Sequence, residues 1–516
     1  MAAVDTITGR LAAWVAGLSA GDIPERIRDV AASQLLAHLG ALAAGAGHQL
    51  GGRVIEAFGP PFRGDAEQTA YVSAALTMLL DFDDTMYAGH VSHSSVGVPL
   101  AYAEPLRLDG PSLLTAVVAA NETAARVTAA ATLGPHRGQT AAHTHLVGAV
   151  AGRGSAEGAE ARQLVDAWGI ALTMPPWVLE RGFFGSDAKA LTAATPVRTA
   201  LDAYAAAAAG MHGAPDILEH RDGFLARFAI LPLPQAAGHL GDLWHTETLS
   251  IKLHPGCAYI DGAVEAAIAL HHRVADSIDQ IDKVVVEAPI FTVGMEAHSA
   301  AHLDGPRSGV AAITFSIPYN VATALIRGRL TAGDLSAAAI ADERTWGLAR
   351  RVEVREARDL SLRALLATSP VGAALRLAGE PAAAWLAALL GGDASDYAAQ
   401  LVRGPESSFE DAEKAMGARL TVSMSTGEQL TAGVDIPLGF AGPDLRRRHR
   451  DLARMKFLQA AEPWMGEEAA SEVCRLLEGL PSAGRDEVAR LCLLLRDAFS
   501  RRRERRQGAR PQPSSG

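Results

Sequence analysis

The segment Ile281-Asp-Lys-Val-Val-Val-Glu-Ala288 decides the interpretation of the fold, because the pattern of the chain changes there from helical to strand-like. It is short, rich in β-branched residues and flanked by polar ones, as is typical of a strand. Val352-Glu-Val-Arg alternates in the same way, and residues 420–436 predict a hairpin with Gly427 in its turn. Residues 270–437 are therefore predicted to form a smaller α+β domain.

Helical patterns lie on both sides of this domain. The chain begins with apolar residues at helical spacing, namely Ile7, Leu11, Trp14, Val15 and Leu18. No stretch of residues 1–269 alternates like a strand, so this part is predicted to be all-helical. Residues 438–503 are again helical in pattern, and the basic tail 504–516 is predicted to be disordered.

The composition excludes several classes of protein. With 49% hydrophobic residues among 516, the chain can bury a large core. The net charge of −11 argues against nucleic acid as the main partner. Three scattered cysteines rule out a disulfide scaffold and make a thiolate metal site improbable. No secretory signal is recognisable and no uninterrupted apolar stretch approaches ~18 residues, so a cytoplasmic protein without a membrane span is expected.

The segment from Asp81 to Ser95 concentrates groups that exchange protons near neutral pH. Its sequence, DFDDTMYAGHVSHSS, contains three carboxylates together with His90 and His93. The alternative interpretation is a helix end followed by a solvated acidic turn.

Three further segments contain candidate functional residues. His143-Thr-His145 is either a functional pair, or a loop or partly buried pair without a function. In Gly185-Ser-Asp-Ala-Lys189, Ser186 can cap a helix whose first turn holds Lys189, which would make an anion site. A capped helix with a surface lysine is the alternative. In Phe315-Ser-Ile-Pro-Tyr319 the phenol is either a proton donor or a packing residue.

Histidine spacing also raises the question of a metal. The pairs His90/His93, His143/His145 and His298/His302 have ligand-like spacing, and Asp81, Asp83 and Asp84 lie nearby in sequence. None of these groups completes a recognised ligand set, so we expect no metal.

Several blocks, in this order, resemble the MmgE/PrpD family of dehydratases, decarboxylases and epimerases. They are LLDFDDT at 79–85, GSDAK at 185–189, IKLHPGCAYIDGAVEAAIAL at 251–270, FSIPY at 315–319, ARRVEV at 349–354 and KF at 456–457. The resemblance covers most of residues 1–480. It implies a mainly α fold, in which residues 1–269 and 438–503 form one large all-helical domain that carries the α+β domain 270–437 as an insertion.

The resemblance also implies an active site between the two domains, a homodimer, and no metal or organic cofactor. The family's aspartate, lysine and tyrosine match Asp81, Lys189 and Tyr319. Its first histidine falls on His90 or His93, with a preference for His93, and its second falls on His143 or His145.

The predicted substrate-binding residues are Ser186, Lys252, Tyr259 and Asp261. Tyr259 and Asp261 stand where the family commonly has histidines, and a charged Asp261 would repel a carboxylate. We therefore expect a substrate with fewer carboxylates than citrate-like acids, or with an amine in place of one.

The predicted function is that of a cofactor-independent lyase, which dehydrates or decarboxylates a small functionalised acid next to a carboxylate. An isomerase, epimerase or cyclase using the same proton abstraction is one alternative. A non-catalytic relative that binds a small acid is the other.

Overall fold

The computed structural model describes residues 5–87, 89–134, 142–390 and 406–508, and the fold is mainly α. The helices before residue 250 are Ile7–Gly17, Glu25–Gly47, Gln49–Phe58, Ala66–Met78, Ser92–Ser95, Gly97–Ala103, Gly110–Ala131, His143–Glu157, Ala161–Ala171, Glu180–Gly185, Leu191–Ala208 and Phe224–Phe228. Those after it are Asp261–Val274, Ile290–Ala300, Val310–Ile313, Ile317–Arg327, Ala337–Ile340, Glu343–Ala349, Arg358–Leu366, Gly372–Ala378, Ala382–Leu390, Pro443–Met465, Glu467–Glu478 and Arg485–Gly508. Short 3-10 helices are Ala20–Asp22, Asp187–Ala190, Pro234–Ala237, His245–Thr248, Ala275–Gln280, Ala332–Leu335 and Leu480–Ser482.

Polar side chains fix the starts of several of these helices. The side chains of Thr6, Asp65 and Asp109 each accept a hydrogen bond from a backbone N–H in the first turn of the helix that follows. These donors have no partner within the helix, so a cap at this position typically stabilises it by ~1 kcal/mol.

The helix Glu25–Gly47 packs along Pro443–Met465 and so joins the N- and C-terminal segments in one core. The contact is close at Gly40, where a Cβ atom would lie 3.1 Å from Cα of Phe457. By length and composition this helix could also cross a membrane, although 89% of its apolar window is buried inside the protein. This burial is that of a core helix.

The predicted strands form one four-stranded sheet. β4 (Ile281–Ala288) pairs in parallel with β5 (Val352–Glu356) and antiparallel with β6 (Ala418–Met424), and β7 (Gln429–Val434) completes the order β5-β4-β6-β7. Gly427 has a φ of 88° in the turn between β6 and β7, a conformation that favours glycine.

The helix Asp261–Val274 packs against β6 and β7, and the predicted domain boundary at residue 270 falls within it. At the other end, the helix Arg485–Gly508 includes residues 504–508 of the tail that was expected to be disordered. The rest of that tail lies outside the described residues.

The first part of the chain is not entirely helical, which corrects the prediction. β1 (Asp84–Met86) pairs antiparallel with β2 (Gly89–His90) and with β3 (Ser250–Ile251). Strands of two or three residues are too short to show alternation, and β1 is buried throughout. This small sheet holds the acidic and histidine residues of the candidate site against the segment that contains Lys252.

Candidate active site

Asp81 lies at the centre of a buried network of charged side chains. It follows the helix Ala66–Met78 in a left-handed backbone conformation, with a φ of 53°. Its Oδ2 accepts a 2.6 Å hydrogen bond from Nζ of Lys189, and its Oδ1 accepts one of 2.5 Å from Nζ of Lys252. All three side chains are at most 2% exposed. The network thus joins three distant parts of the chain.

Asp83 extends this network to the histidines. Its Oδ1 accepts a 2.7 Å hydrogen bond from Lys252, while its Oδ2 lies 2.7 Å from Nδ1 of His90 and 3.1 Å from Nε2 of His93. Lys252 also donates to the backbone carbonyl of Asp81 at 2.8 Å. One ammonium group therefore fixes both aspartates, and one carboxylate oxygen faces both imidazoles.

The charges in the network determine how the aspartates ionise. Burial alone would raise the pKa of Asp81, but the ammonium groups of Lys189 and Lys252 outweigh it and hold that pKa below its ordinary value. Burial opposes ionisation of Asp83 too, but His90, Lys252 and His93 lower its pKa well below the ordinary range. Both aspartates are therefore carboxylates at neutral pH.

His93 has one nitrogen that is fixed and one that is available. The Thr77 hydroxyl donates to the carbonyl of Ser73 at 2.9 Å and lies 2.7 Å from Nδ1 of His93, so it accepts the Nδ1 proton. Nε2 of His93 faces Asp83 without hydrogen-bonding geometry and has no other partner in the described part of the chain. In this tautomer Nε2 can take up a proton.

His145 lies beside this network, and His143 does not. The His145 ring is 5.2 Å from that of His93, edge to face, and its Nδ1 is 3.3 Å from the Ser94 hydroxyl. The His143 ring packs against Phe224 and Phe228, with both nitrogens unpartnered among the described residues. Burial lowers the pKa of His143 to about 4. The chain leading into both histidines, residues 135–141, lies outside the described ranges.

Two further buried lysines, neither of them a predicted site residue, lie under the same loop. Lys456 donates to the backbone carbonyls of Phe82 and Asp83 at 2.5 and 3.1 Å, and Lys414 donates to the Thr85 hydroxyl at 2.7 Å. Burial lowers the pKa of Lys456 to about 7 and that of Lys414 to about 8. The KF pair at 456–457 was a sequence signal for the first, whereas Lys414 had none.

The structure places the predicted substrate-binding residues in different surroundings. Lys252 uses its three ammonium hydrogens on Asp81 and Asp83, so none is left for a substrate. Ser186 is exposed, and it caps the 3-10 helix Asp187–Ala190 by accepting from the N–H of Ala188. The cap was predicted, and Lys189 in that turn is buried and ion-paired with Asp81 rather than lying on the surface.

Tyr319 was predicted to be a catalytic residue and Tyr259 a substrate-binding residue. Tyr319 donates to the carbonyl of Asp334 at 3.0 Å and packs against Trp346. Tyr259 is half-buried, and burial raises its pKa.

Asp261 is fully buried, and neither of its oxygens has a partner among the described residues. Burial, assisted by Glu265, raises its pKa well above the ordinary value. A raised pKa favours the uncharged form of Asp261, which weakens the reason given for a substrate with fewer carboxylates.

Asp83, His90 and His93 are also the residues that could hold a metal ion. Their potential ligand atoms lie within 4.8 Å of one another. However, Lys252 lies 2.7 Å from the other oxygen of Asp83, and its charge opposes a second cation there. Hydrogen bonds and ion pairs with protein groups account for this arrangement without an ion.

Two protein-family models match the chain. The family model of the MmgE/PrpD N-terminal domain matches residues 9–233, and that of the MmgE/PrpD C-terminal domain matches residues 254–370. Among curated proteins, none matches the chain. The first matched region contains Asp81, His90, His93 and Lys189, and the two regions together cover most of the chain. The protein therefore belongs to the MmgE/PrpD family.

Proposed function

We propose that the protein is a cofactor-independent lyase, which removes water or CO₂ next to a carboxylate of a small functionalised organic acid. Its family is known for dehydratases, decarboxylases and epimerases. The observation that carries the proposal is the sharing of Asp83 by His90 and His93, in a network that continues through Lys252 and Asp81 to Lys189. Acid–base groups and a cation are thereby held at fixed positions.

His90 and His93 supply the proton transfer in this proposal. The side chain of His90 is 16% exposed, so a substrate can reach it, while His93 is fully buried behind it with the two rings stacked 5.9 Å apart. Asp83 stabilises the imidazolium that forms when a histidine removes the α-proton. Such a positioned base contributes typically ~10²–10⁴-fold to a rate.

Lys189 stabilises the negative charge that develops on the substrate. Asp81 and the Thr314 hydroxyl, at 3.4 Å, occupy two of its three donors, which leaves one for a carboxylate. Phe315 and Phe183 lie around the ammonium group, with ring centroids at 4.8 and 5.4 Å. A donor fixed in such apolar surroundings stabilises an enolate-like charge without having to reorganise.

Incubation with a panel of hydroxy, keto and unsaturated di- and tricarboxylic acids in deuterated buffer tests the proposal. We expect deuterium at the α-carbon of at least one acid, together with a product lighter by water or CO₂. His90→Gln should lower the exchange rate by ~10²-fold or more while the protein stays folded. The matched control is His212→Gln, because the His212 side chain is 73% exposed and lies beside Asp166 and Arg162, which are not part of the network.

Each outcome has a clear meaning. Exchange with inversion of the α-carbon and no lighter product would replace the lyase by an epimerase. No exchange and no binding across the panel, with a folded wild-type protein, would contradict the proposal.

We also propose, from the family resemblance, that the protein is a homodimer. Light scattering at micromolar concentration should give twice the 53.9 kDa mass of the chain. A monomeric mass at that concentration would contradict this.

A further inference from the structure

A cavity of about 370 Å³ lies at the tip of the β1–β2 hairpin, and its lining residues are not those of the ion-pair network. Its volume is within the range of small-molecule sites. Tyr87, His245 and Phe409 contact one another in one wall of it, and the lining also includes the small side chains of Ala129, Ala373 and Ala374. Gln235 and His239 line it as well and are exposed, so the cavity opens to solvent there.

The rings of Tyr87, His245 and Phe409 contact one another in this wall, in a geometry that a further aromatic ring could extend. Phe409 meets both Tyr87 and His245 edge to face, with interplanar angles of 78° and centroids 6.1 and 5.0 Å apart. The Tyr87 and His245 rings are tilted by 51° at 5.4 Å. Edges and faces of aromatic rings attract one another in this geometry, so a further ring can continue the cluster.

His245 also provides an unsatisfied polar atom in this wall. It is 2% exposed, and its Nδ1 has no hydrogen-bond partner in the described part of the chain. Burial, together with the nearby Arg126, lowers the pKa of His245 well below its ordinary value, so the ring is neutral. A neutral buried imidazole hydrogen-bonds to an uncharged group, and leaving it unpaired is unfavourable.

A buried ion pair builds the wall of the cavity. Arg126 donates to the carbonyls of Gly238, His239 and Leu243, at 2.7, 3.3 and 2.6 Å. Glu122, one helical turn away and 3.3 Å from the guanidinium, accepts from the backbone N–H of His245 at 3.0 Å. Both side chains are fully buried, which costs free energy of desolvation. The hydrogen bonds that Arg126 and Glu122 make hold residues 238–245 in place.

Two residues of the wall have strained backbones. Tyr87 and His239 are non-glycine residues with φ values of 52° and 56°. Such conformations cost of order 1–3 kcal/mol and persist where the surrounding structure imposes them. Tyr87 also lies in the hairpin that contains His90, so an occupant of the cavity would contact the same hairpin.

We propose that this cavity is a binding site for an uncharged aromatic ring with one hydrogen-bonding group, which His245 recognises. The ring is either the apolar end of the substrate or a separate small molecule. Only the first of these two sources rests on the proposed function.

The test is isothermal titration calorimetry of the full chain with benzyl alcohol, and with toluene as the ring without a hydroxyl. We expect wild-type protein to bind benzyl alcohol, and Ala373→Phe, which fills the cavity, to lower its affinity at least about tenfold. His245→Leu should weaken benzyl alcohol about fivefold and leave toluene unchanged, because it removes one neutral hydrogen bond. Ala460→Phe, in the helix Pro443–Met465 and outside the lining of this cavity, is the matched control and should bind as the wild type does.

Succinate and benzylsuccinate identify the source of the ring. If the ring belongs to the substrate, benzylsuccinate binds more tightly than succinate or benzyl alcohol alone. Lys189→Met then lowers the affinity for benzylsuccinate but not that for benzyl alcohol. If the ring belongs to a separate molecule, succinate and benzyl alcohol bind independently. Absence of benzyl alcohol binding, or binding retained by a folded Ala373→Phe protein, would overturn the inference even if the lyase activity were established.

Discussion

Nζ of Lys189 donates a 2.6 Å hydrogen bond to Oδ2 of Asp81, across 108 residues of sequence and inside a fully buried environment. The pair joins the 3-10 helix Asp187–Ala190 to the left-handed residue that starts the acidic loop. A buried charge without its partner is strongly destabilising. Lys189 therefore contributes to stability as well as to the proposed chemistry.

We predict that Lys189→Ala lowers both activity and stability. Loss of the ammonium group leaves the Asp81 carboxylate buried and short of one partner, which should reduce the free energy of unfolding by about 3–5 kcal/mol. The rate should fall by about one to two powers of ten, because a charge-assisted contact is worth roughly 1.5–3 kcal/mol. Urea denaturation and the deuterium-exchange assay measure the two effects.

The double variant Asp81→Asn/Lys189→Met is the control for this prediction. It removes both charges, so it should recover part of the lost stability but none of the activity. A Lys189→Ala protein as stable as the wild type would contradict the buried ion pair. Near-normal exchange in that variant would contradict the role of Lys189 in the reaction.

We predict that His145, and not His143, affects the reaction. His145→Gln changes a side chain 5.2 Å from His93 and should lower the exchange rate, whereas His143→Phe lies among aromatic rings and should leave it unchanged. The comparison needs both rates at the same pH, with circular dichroism as the check on folding. The reverse pattern would show that the family's second histidine corresponds to His143.

We also predict that His143 makes the protein sensitive to acid. Its pKa is about 4 in the folded state and 6.5 ordinarily, so between pH 6.5 and 4 the unfolded chain takes up a proton that the folded chain does not. Stability contributed by the neutral ring is therefore lost as the pH falls through this window, by up to about 2–3 kcal/mol. His143→Phe does not titrate, so its free energy of unfolding should fall less between pH 6.5 and 4. An equal fall in both proteins would contradict the assignment.

The sequence was sufficient for the parts of the fold that repeat a pattern. β4 was predicted because it is short, rich in β-branched residues and flanked by polar ones, and β5 and the hairpin around Gly427 because their residues alternate. β1, β2 and β3 were not, because two or three residues cannot show a period. The family resemblance that suggested Asp81 and Lys189 is confirmed at the level of the family.

The sequence could not predict contacts between residues that are far apart in the chain. Lys252 was predicted to bind substrate, but pairing β1 with β3 brings its ammonium group to Asp81 and Asp83. His143 and His145 are two positions apart in one helix, so their side chains lie on different faces of it. The sequence does not show which of these faces meets His93. Lys414 reaches Thr85 across 329 residues, a relationship without any local signal.

We predict that chelators leave activity unchanged and that the purified protein contains no stoichiometric Zn, Fe or Mg. Asp83 is bound by Lys252 and faces two histidines, so it already has the partners that its charge requires. Elemental analysis and the exchange assay, with and without EDTA, test this. One metal ion per chain, removed by EDTA together with the activity, would assign Asp83, His90 and His93 as its ligands.

The last prediction concerns Asp261, whose carboxyl group is buried without a hydrogen-bond partner among the described residues. Its folded pKa is raised well above 3.8, so the folded state keeps a proton that the unfolded state loses as the pH rises above that value. The wild type therefore loses stability with rising pH at this position, and a side chain that cannot ionise does not. Asp261→Asn has nearly the shape of the protonated acid, so it should gain stability relative to the wild type between pH 4.5 and pH 8. Asp22→Asn is the control: hydrogen bonds from Ser19 lower the pKa of Asp22, so its carboxylate is ionised at both pH values and this variant should lose stability relative to the wild type by a similar amount at each. Urea denaturation of the three proteins at both pH values measures the differences. If Asp261 is uncharged, Asp261→Asn should also bind succinate as the wild type does; tighter binding by this variant, or a stability difference independent of pH, would show that the carboxyl group is ionised in the folded protein.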